Sequence, residues 1–221
     1  MTRFLSSSLG KKVVMSLTGF ALVGFLVMHL AGNLTLYADG DGHKFVAYAH
    51  GLHDLGPLLI VGELGLAALF FVHIAMALRL TVENKAARPQ GYAVRKTFGR
   101  STLASRSMHL SGAVVLLFLL FHLWHLRFSE GIAAPAAESL LEKVKDQKTG
   151  LPSGLYAAVY LLGALAVGIH LSHGFKSAFQ SLGANHPRLN RIALRVGLLL
   201  AVVLGVGFAS FPIVAILSWR F

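Results

Sequence analysis

The sequence contains no cysteine and few charged residues. Without a thiol the chain cannot hold an iron–sulphur cluster through cysteine, attach a c-type haem, ligate haem by thiolate or form a disulfide. Charged residues make up 13% of the 221 positions and hydrophobic residues 55%. This is too little charge for the surface of a soluble domain of this size, so we expect an integral membrane protein.

Five long apolar runs predict five membrane-spanning helices, here called spans 1 to 5: 13–36, 57–78, 108–126, 155–175 and 192–217. A bilayer core about 30 Å thick needs about 20 helical residues, and unpaired backbone groups are not tolerated in lipid. We predict an all-α polytopic protein that forms a single domain over residues 1–221. The first run is too long for the core of a cleavable signal peptide. The loop 127–154 contains AAESLLEKVKDQ, which favours a short amphipathic helix at the membrane surface.

Acidic residues are scarce on one side of the predicted membrane protein. Fourteen of the twenty Lys and Arg residues lie on the side of the N-terminus, together with a single acid, Glu83. We expect the chain to lie in the cell (inner) membrane. The positive-inside rule then places its N-terminus on the cytoplasmic side. The basic face suits anionic lipid or an acidic protein partner, and nothing in it requires nucleic acid.

Each of the first four spans contains a histidine at a defined depth: His29, His73, His122 and His170. Helical rise places His29 and His122 about 25 Å from the cytoplasmic edge, and His73 and His170 about 9 Å from it. We call these the outer and the inner level. Two imidazoles that face each other at one depth are what a six-coordinate haem iron requires. The pattern therefore predicts two stacked haems within a bundle of the first four helices.

An internal repeat supports this prediction. Span 1 reads TGFALVGFLVMHL and span 3 reads SGAVVLLFLLFHL, with Gly19 and Gly112 each ten residues before the histidine. Both glycines fall at the inner depth, while Gly65 and Gly163 fall near the outer depth of spans 2 and 4. We interpret such glycines as clearance for a flat macrocycle; the alternative is ordinary packing between membrane helices.

Other histidines are weaker candidates. His125 and His173 each lie three residues from a predicted ligand and could replace it. His109 lies at the depth of the cytoplasmic headgroups. The rest are predicted to be loop or interfacial residues: His43, His50, His53 and His186.

Four stretches resemble one family: SLTGFALVGFLVMHL, FFVHIAMALRL, SRSMHLSG with FHLWHLRF, and GIHLSHGFKSAFQSLG. The chain resembles the single-chain, five-helix, dihaem cytochrome b subunit of succinate dehydrogenases and fumarate reductases. The resemblance implies two haems b, with iron ligands His29 and His122 in the outer haem and His73 and His170 in the inner haem. It also implies a membrane anchor that passes electrons between an iron–sulphur subunit and a quinone, usually menaquinone.

The resemblance also implies partners. A flavoprotein subunit carries the dicarboxylate site, an iron–sulphur subunit links it to the anchor, and both dock on the cytoplasmic face. The chain itself would hold haem and quinone sites but no catalytic site for the dicarboxylate. Some fumarate-reducing members carry a glutamate two residues before the fourth ligand, where this chain has Gly168. This departure puts a proton path of that design in doubt and favours succinate oxidation.

Glu63 is the only acid within a span, about 24 Å from Arg79 and so at the outer level. Because quinone chemistry exchanges protons, Glu63 is a candidate for a quinone site together with His50, His53 and Asp54. Desolvation predicts a neutral carboxyl there; a helix-end or cavity carboxylate is the simpler alternative.

Two other functions are compatible with the sequence. One is a dihaem quinol-oxidising subunit of another respiratory complex, of the hydrogenase or formate dehydrogenase type. The other is a transporter that uses histidines as a proton relay.

Overall fold

The structure, a computed structural model, describes residues 7–87, 107–129, 131, 136–145 and 154–217. Its helices, labelled in chain order, are α1 (Ser8–Asn33), α2 (His43–His53), α3 (Pro57–Ala86), α4 (Met108–His122), α5 (Ala137–Lys145), α6 (Leu155–Ser181) and α7 (Pro187–Ile216). A 3₁₀ turn, Leu34–Tyr37, continues α1, and a π-helical segment, Leu123–Phe128, continues α4. All regular structure in the described ranges is helical, as predicted.

Five helices, α1, α3, α4, α6 and α7, are each long and apolar enough to cross a membrane. They correspond to spans 1 to 5, so the prediction of five helices long and apolar enough to cross a membrane is confirmed. Several extend beyond the apolar runs: α3 continues to Ala86 and α6 to Ser181. Within the last turns of α3, Arg79 Nε donates to Glu83 Oε1 over 3.1 Å, an i,i+4 pair that stabilises the added helix.

The first four spanning helices form an open ring in the order α3, α1, α6, α4. Helix α1 packs against α3 and α6, and α4 packs against α6. In the described residues, α3 and α4 make no extensive main-chain contact with each other. The ring is therefore closed at the side of α1 and α6 and open at the side of α3 and α4. Helices α1 and α4 are diagonal partners, as are α3 and α6.

Helix α7 covers the closed side of the ring, mainly by packing against α6. The two helices approach closely at Gly168 and Gly205, whose Cα atoms permit the contact that small residues favour between membrane helices. A Cβ at Gly168 would lie 3.2 Å from the main-chain oxygen of Ala201. This close contact gives a packing reason for glycine at position 168.

We call the end of the bundle that carries the N-terminus the inner end and the opposite one the outer end. At the inner end Lys11 is only 5% exposed, and its Nζ lies 2.6 Å from Oε2 of Glu83. The two charges thus join α1 to α3.

Helices α2 and α5 lie at the outer end, in the loops that follow α1 and α4. Helix α5 is the short helix predicted within 127–154, whereas α2 was not predicted. Phe45 of α2 and Leu140 of α5 belong to an apolar cluster with Leu30 and Phe211. His50, expected in a loop or at the interface, lies in α2, and its Nε2 is 2.9 Å from Glu138 Oε1 of α5.

Candidate functional site

The outer-level histidines face each other across the ring. The ring centroids of His29 and His122 are 5.9 Å apart, with the planes at 83°. Their helices, α1 and α4, are diagonal partners, so the imidazoles meet in the interior of the bundle. When two imidazoles bind opposite sides of one metal ion, each metal–nitrogen bond is about 2 Å long. Adding the distance from each nitrogen to its ring centre gives a separation of about 6 Å between the two ring centroids. The separation therefore suits two ligands of one metal ion.

Aromatic side chains enclose this pair. His29 stacks on Phe25 with a centroid distance of 5.3 Å, and Tyr160 lies 5.8 Å from His122. The buried Nδ1 of His122 has no hydrogen-bond partner among the described residues. Buried polar atoms in proteins are rarely unpartnered, so this nitrogen needs an explanation. An imidazole that binds a group from outside the chain provides one.

At the inner level, His73 of α3 packs against α1. Its Nδ1 lies 3.2 Å from the Thr18 hydroxyl, and the main-chain oxygen of Met15 is also within hydrogen-bonding reach of the ring. The Thr18 hydroxyl donates its own proton within α1, at 2.9 Å to the oxygen of Val14. It is therefore an acceptor toward His73, so Nδ1 carries the proton and Nε2 has a free lone pair.

The second hairpin repeats this arrangement. His170 Nδ1 of α6 lies 3.3 Å from the Ser111 hydroxyl of α4, which donates to the oxygen of Met108 at 3.1 Å. The same five-residue pattern, Met-x-Leu-Ser/Thr-Gly, occurs at 15–19 and at 108–112. Each copy contacts one inner-level histidine. The hydroxyls went unrecognised at the sequence level, although this repeated pattern could have indicated them.

The glycines of the two copies contact the same imidazoles. A Cβ at Gly19 would lie 3.3 Å from Cε1 of His73, and one at Gly112 would lie 3.3 Å from Cε1 of His170. Their nearest neighbour is thus the histidine ring, where we predicted a macrocycle. The outer-depth glycines differ from each other: space is open beside Gly65, but a side chain at Gly163 would collide with Phe118.

His125, the alternative to His122, has other partners. Its Nδ1 lies 2.9 Å from the hydroxyl of Tyr160, and its ring stacks on Tyr156 at 4.5 Å and 8°. These contacts account for His125 without a metal. They favour His122 as the ligand of α4.

The candidates for proton exchange lie in separate contacts. Glu63 accepts from Arg127 at both carboxylate oxygens, 2.9 Å from Nε and 3.0 Å from Nη2. Guanidinium and carboxylate groups favour such bidentate contacts, and this partner was not expected from the sequence. His50 pairs with Glu138, and Asp54 caps the end of α2. The ring of His53 lies 6.5 Å from that of His50.

Comparison with protein families, with curated proteins and with solved structures finds no match to this chain. In the described ranges no group of three or more His, Cys, Asp or Glu residues could hold a bare metal ion. A haem iron needs only two protein ligands, because the macrocycle supplies four. The paired histidines therefore fit haem iron better than an ion held by side chains alone.

Proposed function

We propose that this chain is a dihaem cytochrome b and the membrane subunit of a succinate:quinone oxidoreductase. The arrangement of four histidines on diagonal helices of an open ring carries the proposal. His29 and His122 would ligate the outer haem iron, and His73 and His170 the inner one. Bound b haems would carry single electrons across the bilayer, which no side chain of this cysteine-free chain can do.

The chain's own residues would hold and shield these groups. Thr18 and Ser111 keep the inner histidines in the tautomer whose Nε2 can bind a metal. The aromatic rings around His29 and His122 exclude water from the outer level. Macrocycles are flat and wide, and the scarcity of contact between α3 and α4 over their described residues supports a cofactor inside the ring.

The basic inner end would receive the partner subunits. In the proposed orientation this end is cytoplasmic in the cell membrane, and an iron–sulphur subunit with its flavoprotein would dock there. The acidic outer end would exchange protons with menaquinone or a related quinone. Glu63, His50, His53 and Asp54 remain the candidates for that exchange. Because Glu63 is already paired, its exchange of protons would require the contact with Arg127 to open.

Haem content tests the proposal directly. A pyridine haemochrome assay on the purified chain should find two haems b, and a colourless protein would favour the transporter. Copurifying subunits separate a succinate dehydrogenase from a hydrogenase or formate dehydrogenase. A haem-to-chain ratio near one would contradict the two-level arrangement.

Redox titration of single variants tests the pairing. His29→Ala and His122→Ala should remove the same potentiometric component, and His73→Ala and His170→Ala the other. Loss of one component by both His29→Ala and His73→Ala would show that the pairing is wrong. His125→Ala is the matched control, because His125 lies one turn further on, in the π-helical segment that continues α4, and its ring already contacts Tyr156 and Tyr160.

A further inference from the structure

Two hydroxyl groups occupy equivalent places in the two hairpins. Thr18 of α1 and Ser111 of α4 each lie one residue before the glycine that contacts an inner-level imidazole. Each hydroxyl is close to Nδ1 of that imidazole, at 3.2 Å from His73 and 3.3 Å from His170. The two segments are 93 residues apart in the chain, and each carries the same Met-x-Leu-Ser/Thr-Gly pattern.

The direction of each hydrogen bond follows from the single hydroxyl proton. Thr18 donates it to main-chain oxygens of α1, and Ser111 donates it to Met108 of α4. Only lone pairs are left to face the imidazoles. Each inner-level histidine then donates from Nδ1, which leaves the lone pair of the imidazole on Nε2.

We infer that Thr18 and Ser111 are positioning residues that set both the orientation and the donor strength of the inner histidines. The inference rests on the proposed function. A hydrogen bond from Nδ1–H increases the basicity of the imidazole and so stabilises the oxidised form of a ligated metal. The two hydroxyls would thereby lower the reduction potential of the inner haem.

Among the described residues, no hydroxyl makes an equivalent contact with Nδ1 of His122 at the outer level. His122 Nδ1 is buried without a hydrogen-bond partner among the described residues. The effect of removing Thr18 or Ser111 should therefore be confined to one of the two haems. The Met15 carbonyl also lies near His73, so a second acceptor for the imidazole remains when Thr18 is removed.

The experiment compares Thr18→Val and Ser111→Ala with the conservative variants Thr18→Ser and Ser111→Thr in the haem-loaded chain. Each component's potential is measured by redox titration, and its low-spin electron paramagnetic resonance signal is recorded. We expect the first two variants to move the inner component to a more positive potential. The conservative variants should keep the wild-type value. Ser16→Ala is the control, since Ser16 is also buried in α1 but bonds the Lys12 main chain.

The outcomes separate the inference from the proposed function. Loss of the inner haem in both non-polar variants, with retention in both conservative ones, also supports the positioning role. If the wild type holds two haems but the inner potential shifts no more than in Ser16→Ala, the inference alone is overturned. A shift of only the outer component overturns it as well. A wild-type chain without haem overturns both.

Discussion

Gly19→Ala should weaken the inner site selectively. The added Cβ would lie 3.3 Å from His73 Cε1, inside the usual carbon–carbon separation of about 3.5–4.0 Å. The imidazole must then retreat by a few tenths of an ångström, which approaches the tolerance of about 0.5 Å for a functional site. Overpacking of this size costs about 1 kcal/mol, so we expect about fivefold weaker haem retention at the inner level.

In the assay, purified protein competes for haem with a second haem-binding protein. Redox titration then measures how much of the inner and of the outer haem component the chain has kept. Gly24→Ala is the matched control, because it adds the same methyl group to α1 where nothing lies within 4 Å. Any change in helix propensity is common to both variants. Gly112→Ala should weaken the same component as Gly19→Ala, since its Cβ would meet His170 at the same distance.

Two results would refute this reasoning. Equal loss in Gly19→Ala and Gly24→Ala would show that the effect comes from the helix rather than from the imidazole. Selective loss of the outer component would show that Gly19 does not act through His73.

Three further predictions concern other contacts. Gly168→Glu should lower the thermal unfolding midpoint of the detergent-solubilised chain, because overpacking between α6 and α7 costs about 1–3 kcal/mol or more; an unchanged midpoint would contradict the close contact. Glu63→Gln and Arg127→Gln should both slow quinone-coupled turnover while both haems and succinate-to-artificial-acceptor activity persist, and unchanged turnover would make the pair structural. The hydrogen bond from His50 lowers the pKa of Glu138 below its usual 4.5, so its contribution is present above that pH and is lost as pH falls through the lower folded value. The protection of α5 amides, measured relative to their intrinsic exchange rates, should therefore fall as the pH is lowered below 4.5, and His50→Ala should reduce that protection at neutral pH.

Hydropathy was sufficient to predict the five spanning helices, because lipid requires long apolar runs to be helical. Helix ends were less predictable. Charged residues such as Arg79 and Glu83 ended the apolar run, yet they pair with each other on one more turn of helix. Helix α2 escaped prediction because it is only 11 residues long and follows Gly42, whose φ of 90° interrupts the preceding chain.

Constant helical rise made the depths of the candidate histidines predictable. Side-chain partners depend on rotation about the helix axis as well as on depth, and rotation is harder to read from sequence. Arg127 illustrates this point, since it lies in the π-helical segment at the end of α4, where the usual 3.6-residue period does not apply. Its contact with Glu63 became visible only in the structure.

The open side of the ring bears on how such a protein could be assembled. Between α3 and α4 the described contacts include the Glu63–Arg127 ion pair but no extensive helix packing. This open side is bridged by an ion pair, so α3 and α4 can move apart there without disrupting an apolar core, whereas α6 packs against both α1 and α7. If the chain binds haem as proposed, its five helices would be able to insert into the membrane and pair as hairpins before the cofactor binds. The planar, hydrophobic cofactor would then enter laterally from the lipid between α3 and α4, and its binding would complete the packing of the bundle.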